Sequence, residues 1–184
     1  MATANTAVPN TATPKRPGLK AGVRTEFTII AKVKPGHEKA VRETILSQPE
    51  GANMEALKQI GTLHESRFVL LDNDTRILFC SSFDGPWDTY IDDFGHTIVA
   101  KIFEAVWSHA EGFPGITDPH VKDWFMANAV EAVRFLTSYP DATVKEIWRA
   151  LDVEKAFEQV LDDPEAEQAL AAPALKPLLD LAAT

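Results

Sequence analysis

Only one cysteine, Cys80, stands in the 184 residues. No internal disulfide and no cysteine metal cluster can form from it. In the middle of an apolar strand pattern it reads as a buried thiol, packing as a small hydrophobe. No apolar run is long enough to span a bilayer, and the N-terminus lacks the basic-then-apolar order of a secretion signal. The expected location is therefore cytoplasmic, with no membrane partner. Basic residues are scarce as well, 18 Lys and Arg against 27 Asp and Glu, a net charge of −9. The first 24 residues hold four of these cations (Lys15, Arg16, Lys20, Arg24) and no acid, so the remainder carries a net −13. A body this acidic argues against nucleic acid as the main partner. Pairs spaced His-x-x-x-His or Cys-x-x-Cys are missing, so no metal site is expected. A phosphate-cradling Gly-rich loop and a Gly-x-Ser-x-Gly elbow are missing too.

What is present fits a soluble globular domain, with 45% hydrophobic and 24% charged residues. Residues 1–24 lack aromatics and read as a flexible arm, able to dock the chain onto an acidic partner. Phe27, Ile29, Ala31 and Val33 alternate, which predicts a strand over 25–33. Lys34-Pro35-Gly36-His37 is a turn, followed by a helix to about Ser47 that is broken at Pro49-Glu50-Gly51. A short helix is expected over 52–60. Two apolar runs, 64–71 and 75–83, flank Asp72-Asn73-Asp74 and predict a hairpin. Trp87, Ile91, Phe94, Ile98, Ile102 and Val106 recur at helical spacing, predicting one long helix from Pro86 to about Ala110. A short helix near 121–129 should lead into a strand over 132–139. Thr143 and Glu146 form a capping box for a helix to about Leu161. The Ala/Leu/Pro-rich residues 164–184 read as a broken helical extension.

The order β-α-β-β-α-β, with an added C-terminal helix, is the ferredoxin-like arrangement: an α+β fold with an antiparallel sheet and helices on one face. The expected domain spans 25–163. Its strands are apolar on both faces, with Phe68 and Leu70 set against Val69 and Leu71. A sheet with one face in water should alternate with polar residues, so something is expected to cover the second face. A homodimer with a cavity for a small-molecule ligand is the favoured cover; a dimer with a filled core is the plainer one.

The densest run of chemistry is Phe83-Asp84-Gly85-Pro86-Trp87-Asp88-Thr89-Tyr90, at a strand end that opens a helix. Asp84 has two compatible readings, a proton-transfer acid and a helix cap before Pro86. Trp87 and Tyr90 wall a pocket or pack in the core. Arg67, inside an apolar strand, either meets a carboxylate or anionic ligand or reaches water from a sheet edge. His64 lies three residues before Arg67, on the opposite face unless the strand bulges. His96, four residues after Asp92, reads as an exposed helix pair, and His109 sits near a helix C-terminus.

Val33-Lys34-Pro35-Gly36-His37-Glu38 after the first strand resembles the dimeric α+β barrel superfamily, which includes small monooxygenases and dye-decolourising peroxidases. His64-Glu65-Ser66-Arg67-Phe68-Val69-Leu70-Leu71-Asp72, followed by Phe83-Asp84-Gly85-x-Trp87-x-x-Tyr90-x-x-Asp93-Phe94, is similar to a bacterial group labelled peroxidase-like. Ser81-Ser82-Phe83-Asp84-Gly85 resembles the Gly-x-x-Asp-Gly signature of dye-decolourising peroxidases, departing from it at Ser81. The resemblance implies an oxidoreductase-type enzyme acting on a small apolar or aromatic substrate, with haem as a possible cofactor. Asp84 would be its acid–base group, Arg67 would position an anionic or peroxide oxygen, and Trp87, Tyr90 and His64 would contact substrate. His96 and His109 are the candidate haem ligands. The alternative is a non-catalytic dimer that binds a small ligand or docks through its arm.

Overall fold

The computed structural model describes residues 16–48, 57–96 and 99–183, the side chain of His96 excepted. The arm up to Lys15, the break at 49–51 and most of the expected helix over 52–60 lie outside the described residues. The chain divides into two compact units after Asp141, earlier than the expected boundary at 163. The capped helix therefore belongs to the second unit.

In the first unit, strands β1 (Lys20–Ala21), β2 (Arg24–Lys32), β3 (Leu63–Leu71) and β4 (Arg76–Asp84) form one antiparallel sheet in the order β1-β2-β4-β3. The hairpin β3–β4 turns at Asp72, Asn73 and Asp74, all with positive φ, a conformation that Asn and Asp tolerate better than other side chains. Among the described residues the helices run in the same chain order, α1 (Glu38–Leu46), α2 (Trp87–His96), α3 (Val99–Trp107) and α4 (Val121–Asn128), and residues 57–60 are helical before β3. Phe27, Ile29, Ala31, Ile77, Phe79 and Phe83 point to one face of the sheet and are essentially fully buried. Phe27 meets Trp87 of α2 and Phe125 of α4, and Phe79 meets Phe103 and Trp107 of α3, with ring centroids 5.2–6.2 Å apart. One face of the sheet thus carries the helices and the aromatic core.

Three expectations change. Ordered structure begins before Thr25: β1 lies within residues 16–24, Leu19 donates its N–H to Glu26 Oε1 (3.1 Å), and Arg24 is buried. Secondly, the single long helix is two. Phe94 and Phe103 stack at 4.2 Å, whereas a continuous helix would separate them by about 13.5 Å along its axis, so α3 folds back on α2. Gly95, a weak helix former, lies one residue before the end of α2. Thirdly, 132–139 is not a strand. The chain touches the free edge of β2 only through the bridge Ile29–Ala129 and the bond from Val130 N–H to the Thr28 carbonyl. β1 already takes the first part of that edge. The sheet and helices are compatible with a ferredoxin-like fold in which the last strand is replaced.

The second unit has the long helix α5 (Val144–Leu161), with the Thr143–Glu146 capping box formed as expected. Two short helices follow, α6 (Glu167–Leu170) and α7 (Lys176–Ala182), each preceded by a 3-10 turn that begins at a proline. No described helix is long and apolar enough to cross a membrane.

Candidate functional site on the second face of the sheet

Strand alternation sends every second residue away from the aromatic core, and the register arranges these residues in rows across β2, β4 and β3. Arg24 lies beside Asp84, Glu26 beside Ser82 and Glu65, Thr28 beside Cys80 and Arg67, and Ile30 beside Leu78 and Val69. The second face is therefore charged and hydrogen-bonding at one end, apolar in the row Ile30–Leu78–Val69, and charged again where Lys32 and Arg76 meet beside Leu71. This revises the expectation of apolar strands on both sides, which holds only for that one row.

Residues 132–136 lie over the polar end. Between them and the sheet is a cavity of about 370 Å³, lined on the sheet side by Glu26, Thr28, Glu65, Arg67, Cys80 and Ser82 and on the other by Arg134, Phe135 and Leu136. That volume falls within the range of small-molecule sites. Glu26, only 6% exposed, accepts the Leu19 amide and the Thr28 hydroxyl, both at 3.1 Å. The same hydroxyl is 3.6 Å from Cys80 Sγ. With one proton to give, it donates to the carboxylate or to the sulfur; donation to the carboxylate leaves its oxygen free to accept from the thiol. Cys80 thus lies on the cavity floor, more open than its strand position suggested. Among the described residues neither Arg67 nor Arg134 has an ion-pair partner; both are exposed, and Arg67 lies on the edge strand β3, so its guanidinium also reaches water as the plainer expectation had it.

His64 and Asp84, two of the expected site residues, come together. Register slips between Leu63 and Glu65, so His64 is the extra residue of a bulge. Its Nε2 lies 2.7 Å from Asp84 Oδ1, with the two side chains 7% and 11% exposed. A carboxylate on one imidazole nitrogen orients the ring and selects which nitrogen carries the proton, leaving Nδ1 as the exchanging one. The pair stands one row beyond Ser82, roughly 7 Å along the strand from the cavity lining. Gly85 follows at φ +87 and turns the chain into α2.

The chain matches no family model, no curated protein and no solved structure. Its site is read from its own residues. Trp87 and Tyr90 lie in the helix-covered core, away from the second-face cavity. Trp87 is 3% exposed with Arg16 over its ring, and Tyr90 stacks on Phe83 at 3.6 Å. Burial pushes the Tyr90 phenol well above its ordinary range, opposed weakly by the nearby Ser81 side chain, although the two hydroxyls lack good hydrogen-bond geometry. His96 ends α2, and its side chain, with the expected Asp92–His96 pair, lies outside the described residues; Asp92 pairs with Lys122 of α4 at 2.7 Å. His109 is committed at both ring nitrogens, to His37 Nδ1 at 2.9 Å and to Thr44 Oγ1 at 3.1 Å. Haem, which the resemblance implies, would take His96 or His109 as its axial ligand. Among the described residues no histidine lines the cavity and two glutamates do, so the cavity does not fit a haem held by histidine.

Glu26, Cys80 and Arg134 were missed as site residues. Glu26 carried a signal in the sequence, an acid at an outward position of a strand whose other face is wholly apolar. Arg134 carried none, because its place depends on a segment that leaves the sheet. Two of the arm's four cations are used within the fold: Arg16 bonds Asp88 (2.8 Å) and Arg24 donates to Thr137 Oγ1 (2.8 Å). That leaves the arm fewer charges with which to dock an acidic partner.

Proposed function

We propose that the second-face cavity binds a small anionic molecule through the guanidinium groups of Arg67 and Arg134, and that His64 and Asp84 exchange a proton with it. The observation that carries this reading is the pair of arginines lining one cavity without a carboxylate partner among the described residues. Guanidinium groups bind carboxylates and phosphates through paired donors. Phe135 and Leu136 supply an apolar wall on the opposite side, which favours an aromatic or aliphatic carboxylate. An oxidoreductase-type reaction, as the resemblance at Ser81–Gly85 implies, would place the substrate oxygen at Arg67 and use Asp84 through His64. Trp87 and Tyr90 would support this site from the core side instead of touching substrate.

Calorimetric titration with a panel of small carboxylates, benzoate among them, and with inorganic phosphate tests the reading. A charge-assisted hydrogen bond contributes about 1.5–3 kcal/mol, so Arg67→Ala and Arg134→Ala should each weaken binding by about 10- to 100-fold. Equal affinity in both variants would overturn the assignment. Turnover lost in Asp84→Asn with binding kept would favour the enzyme; binding with no turnover of any panel member would favour a ligand-binding protein.

A homodimer is part of the proposal and rests on exposed apolar residues of the same unit. Val69 is 38% exposed in the apolar row with Ile30 and Leu78, and Val133 and Leu136, over the polar end, are 101% and 72% exposed. Exposed apolar surface of this kind marks association sites. Sedimentation should give a dimer that Val69→Glu disrupts; a monomer at high concentration would remove this part.

A further inference from the structure

The first unit holds a second cluster of reactive side chains, away from the cavity. We infer that His37 and His109 form a binding site for a divalent transition-metal ion, copper(II) or nickel(II) by preference, which clips the turn before α1 to the end of α3.

The argument is geometric. His37 stands at the N-cap position of α1, yet its side chain makes no capping bond. It turns instead to His109, with Nδ1 facing Nδ1 at 2.9 Å and the rings inclined at 66°. Imidazole nitrogens bind such ions at about 2.0–2.1 Å. Two of them in cis positions of a tetragonal site, at right angles, are therefore about 2.9 Å apart. A tetrahedral ion such as zinc asks for about 3.3 Å, a few tenths of an ångström more. The pair lies within a few tenths of an ångström of either spacing while joined by a hydrogen bond, and copper(II), which takes tetragonal geometry, heads the affinity order for nitrogen sites.

The surroundings prepare the pair. Thr44 Oγ1, 3.1 Å from His109 Nε2, can accept a hydrogen bond from that nitrogen, which leaves the His109 Nδ1 lone pair for the ion; His37, then the donor across the pair, carries its proton on Nε2 once the ion takes its Nδ1. Ligating histidines commonly give their other N–H to such a partner. The backbone is fixed on both sides: Lys34 N–H bonds the His109 carbonyl at 2.8 Å, and Val33 bridges Ala110. The Lys34 ammonium is tied to the Ser108 carbonyl at 2.7 Å. Among the described residues no third imidazole, thiol or carboxylate joins the pair, so the other positions belong to water and the site is open.

The test is titration of the full chain with copper(II), with a chelating competitor to set the affinity and electron paramagnetic resonance to count nitrogen ligands. The wild type should bind one ion per chain with coupling to two imidazoles, and its melting temperature should rise on binding. His37→Ala and His109→Ala should each weaken binding at least tenfold and reduce the coupling to one imidazole or none. Thr44→Val should weaken it less, and His120→Ala should leave it unchanged. Circular dichroism checks that the variants fold; since His37 lies on a surface turn, its variant keeps the test valid if His109→Ala does not fold. Equal affinity and an unchanged spectrum in a folded His37→Ala would overturn the inference and leave a hydrogen-bonded histidine pair only.

Discussion

Replacing Asp84 by alanine removes the carboxylate 2.7 Å from His64 Nε2. The imidazole is only 7% exposed, so water cannot readily take the carboxylate's place. A buried donor left without an acceptor costs about 1–3 kcal/mol, and a bond to a charged partner lies at the upper end of that range. Asp84→Ala should therefore destabilise the first unit by about 2–3 kcal/mol. Asp84→Asn keeps an acceptor and loses only the charge, so about 1 kcal/mol is expected. His64→Ala leaves a carboxylate that is 11% exposed without its imidazole and should cost a similar 2–3 kcal/mol. The double replacement should cost less than the sum of the singles by about 1.5–3 kcal/mol, because the His64–Asp84 bond is already lost in either single variant. Urea unfolding followed by tryptophan fluorescence suits the measurement, since Trp87, Trp107 and Trp124 lie in the first unit. With a slope of about 1–3 kcal/mol per molar, Asp84→Ala should lower the midpoint by roughly 1 M. Additive single effects, or equal costs for alanine and asparagine at position 84, would refute a coupled pair.

Three further outcomes follow from the same contacts. Gly22 holds φ +62 with the Pro140 carbonyl where a Cβ would go, whereas Gly36, at φ +84, faces open space; both alanine variants meet the left-handed cost of about 1–2 kcal/mol, and thermal unfolding should show Gly22→Ala clearly the worse. The depressed His109 imidazole favours the fold in its neutral form, so its contribution is full above the unfolded value of 6.5 and is lost as pH falls through the lower folded value; the melting-temperature advantage of wild type over His109→Gln should shrink on acidification. Haemin should give no saturable one-to-one Soret shift, and such a shift, kept in His109→Ala but lost when a cavity residue such as Arg67 is replaced, would contradict the fit argued for the cavity.

Much of the fold can be read in the sequence, because the deciding signals are local. Alternation in 25–33, the Asp72-Asn73-Asp74 turn and the Thr143–Glu146 box each set an element without distant help. The fold-back between α2 and α3 escapes periodicity. Both arms bury aromatic residues in one core, so Phe94 and Phe103 fit a continuous apolar stripe as well as they fit two stacked helices. Residues 132–139 have strand propensity, but β1 takes part of the edge they would need, and that pairing is long-range. The site follows the same division. His64 and Asp84 are conspicuous as residue types, yet their meeting depends on a bulge. Cys80 and Glu26 face a cavity only because a later segment crosses above them.

The most direct test of the account is amide NMR mapping of the full chain as it is titrated with the tightest-binding carboxylate of the panel. The account predicts saturable shifts at Glu26, Thr28, Glu65, Arg67, Cys80, Ser82 and Arg134, lost together in Arg67→Ala. Saturation at another surface, or no saturable shift with any carboxylate or with phosphate, would contradict it.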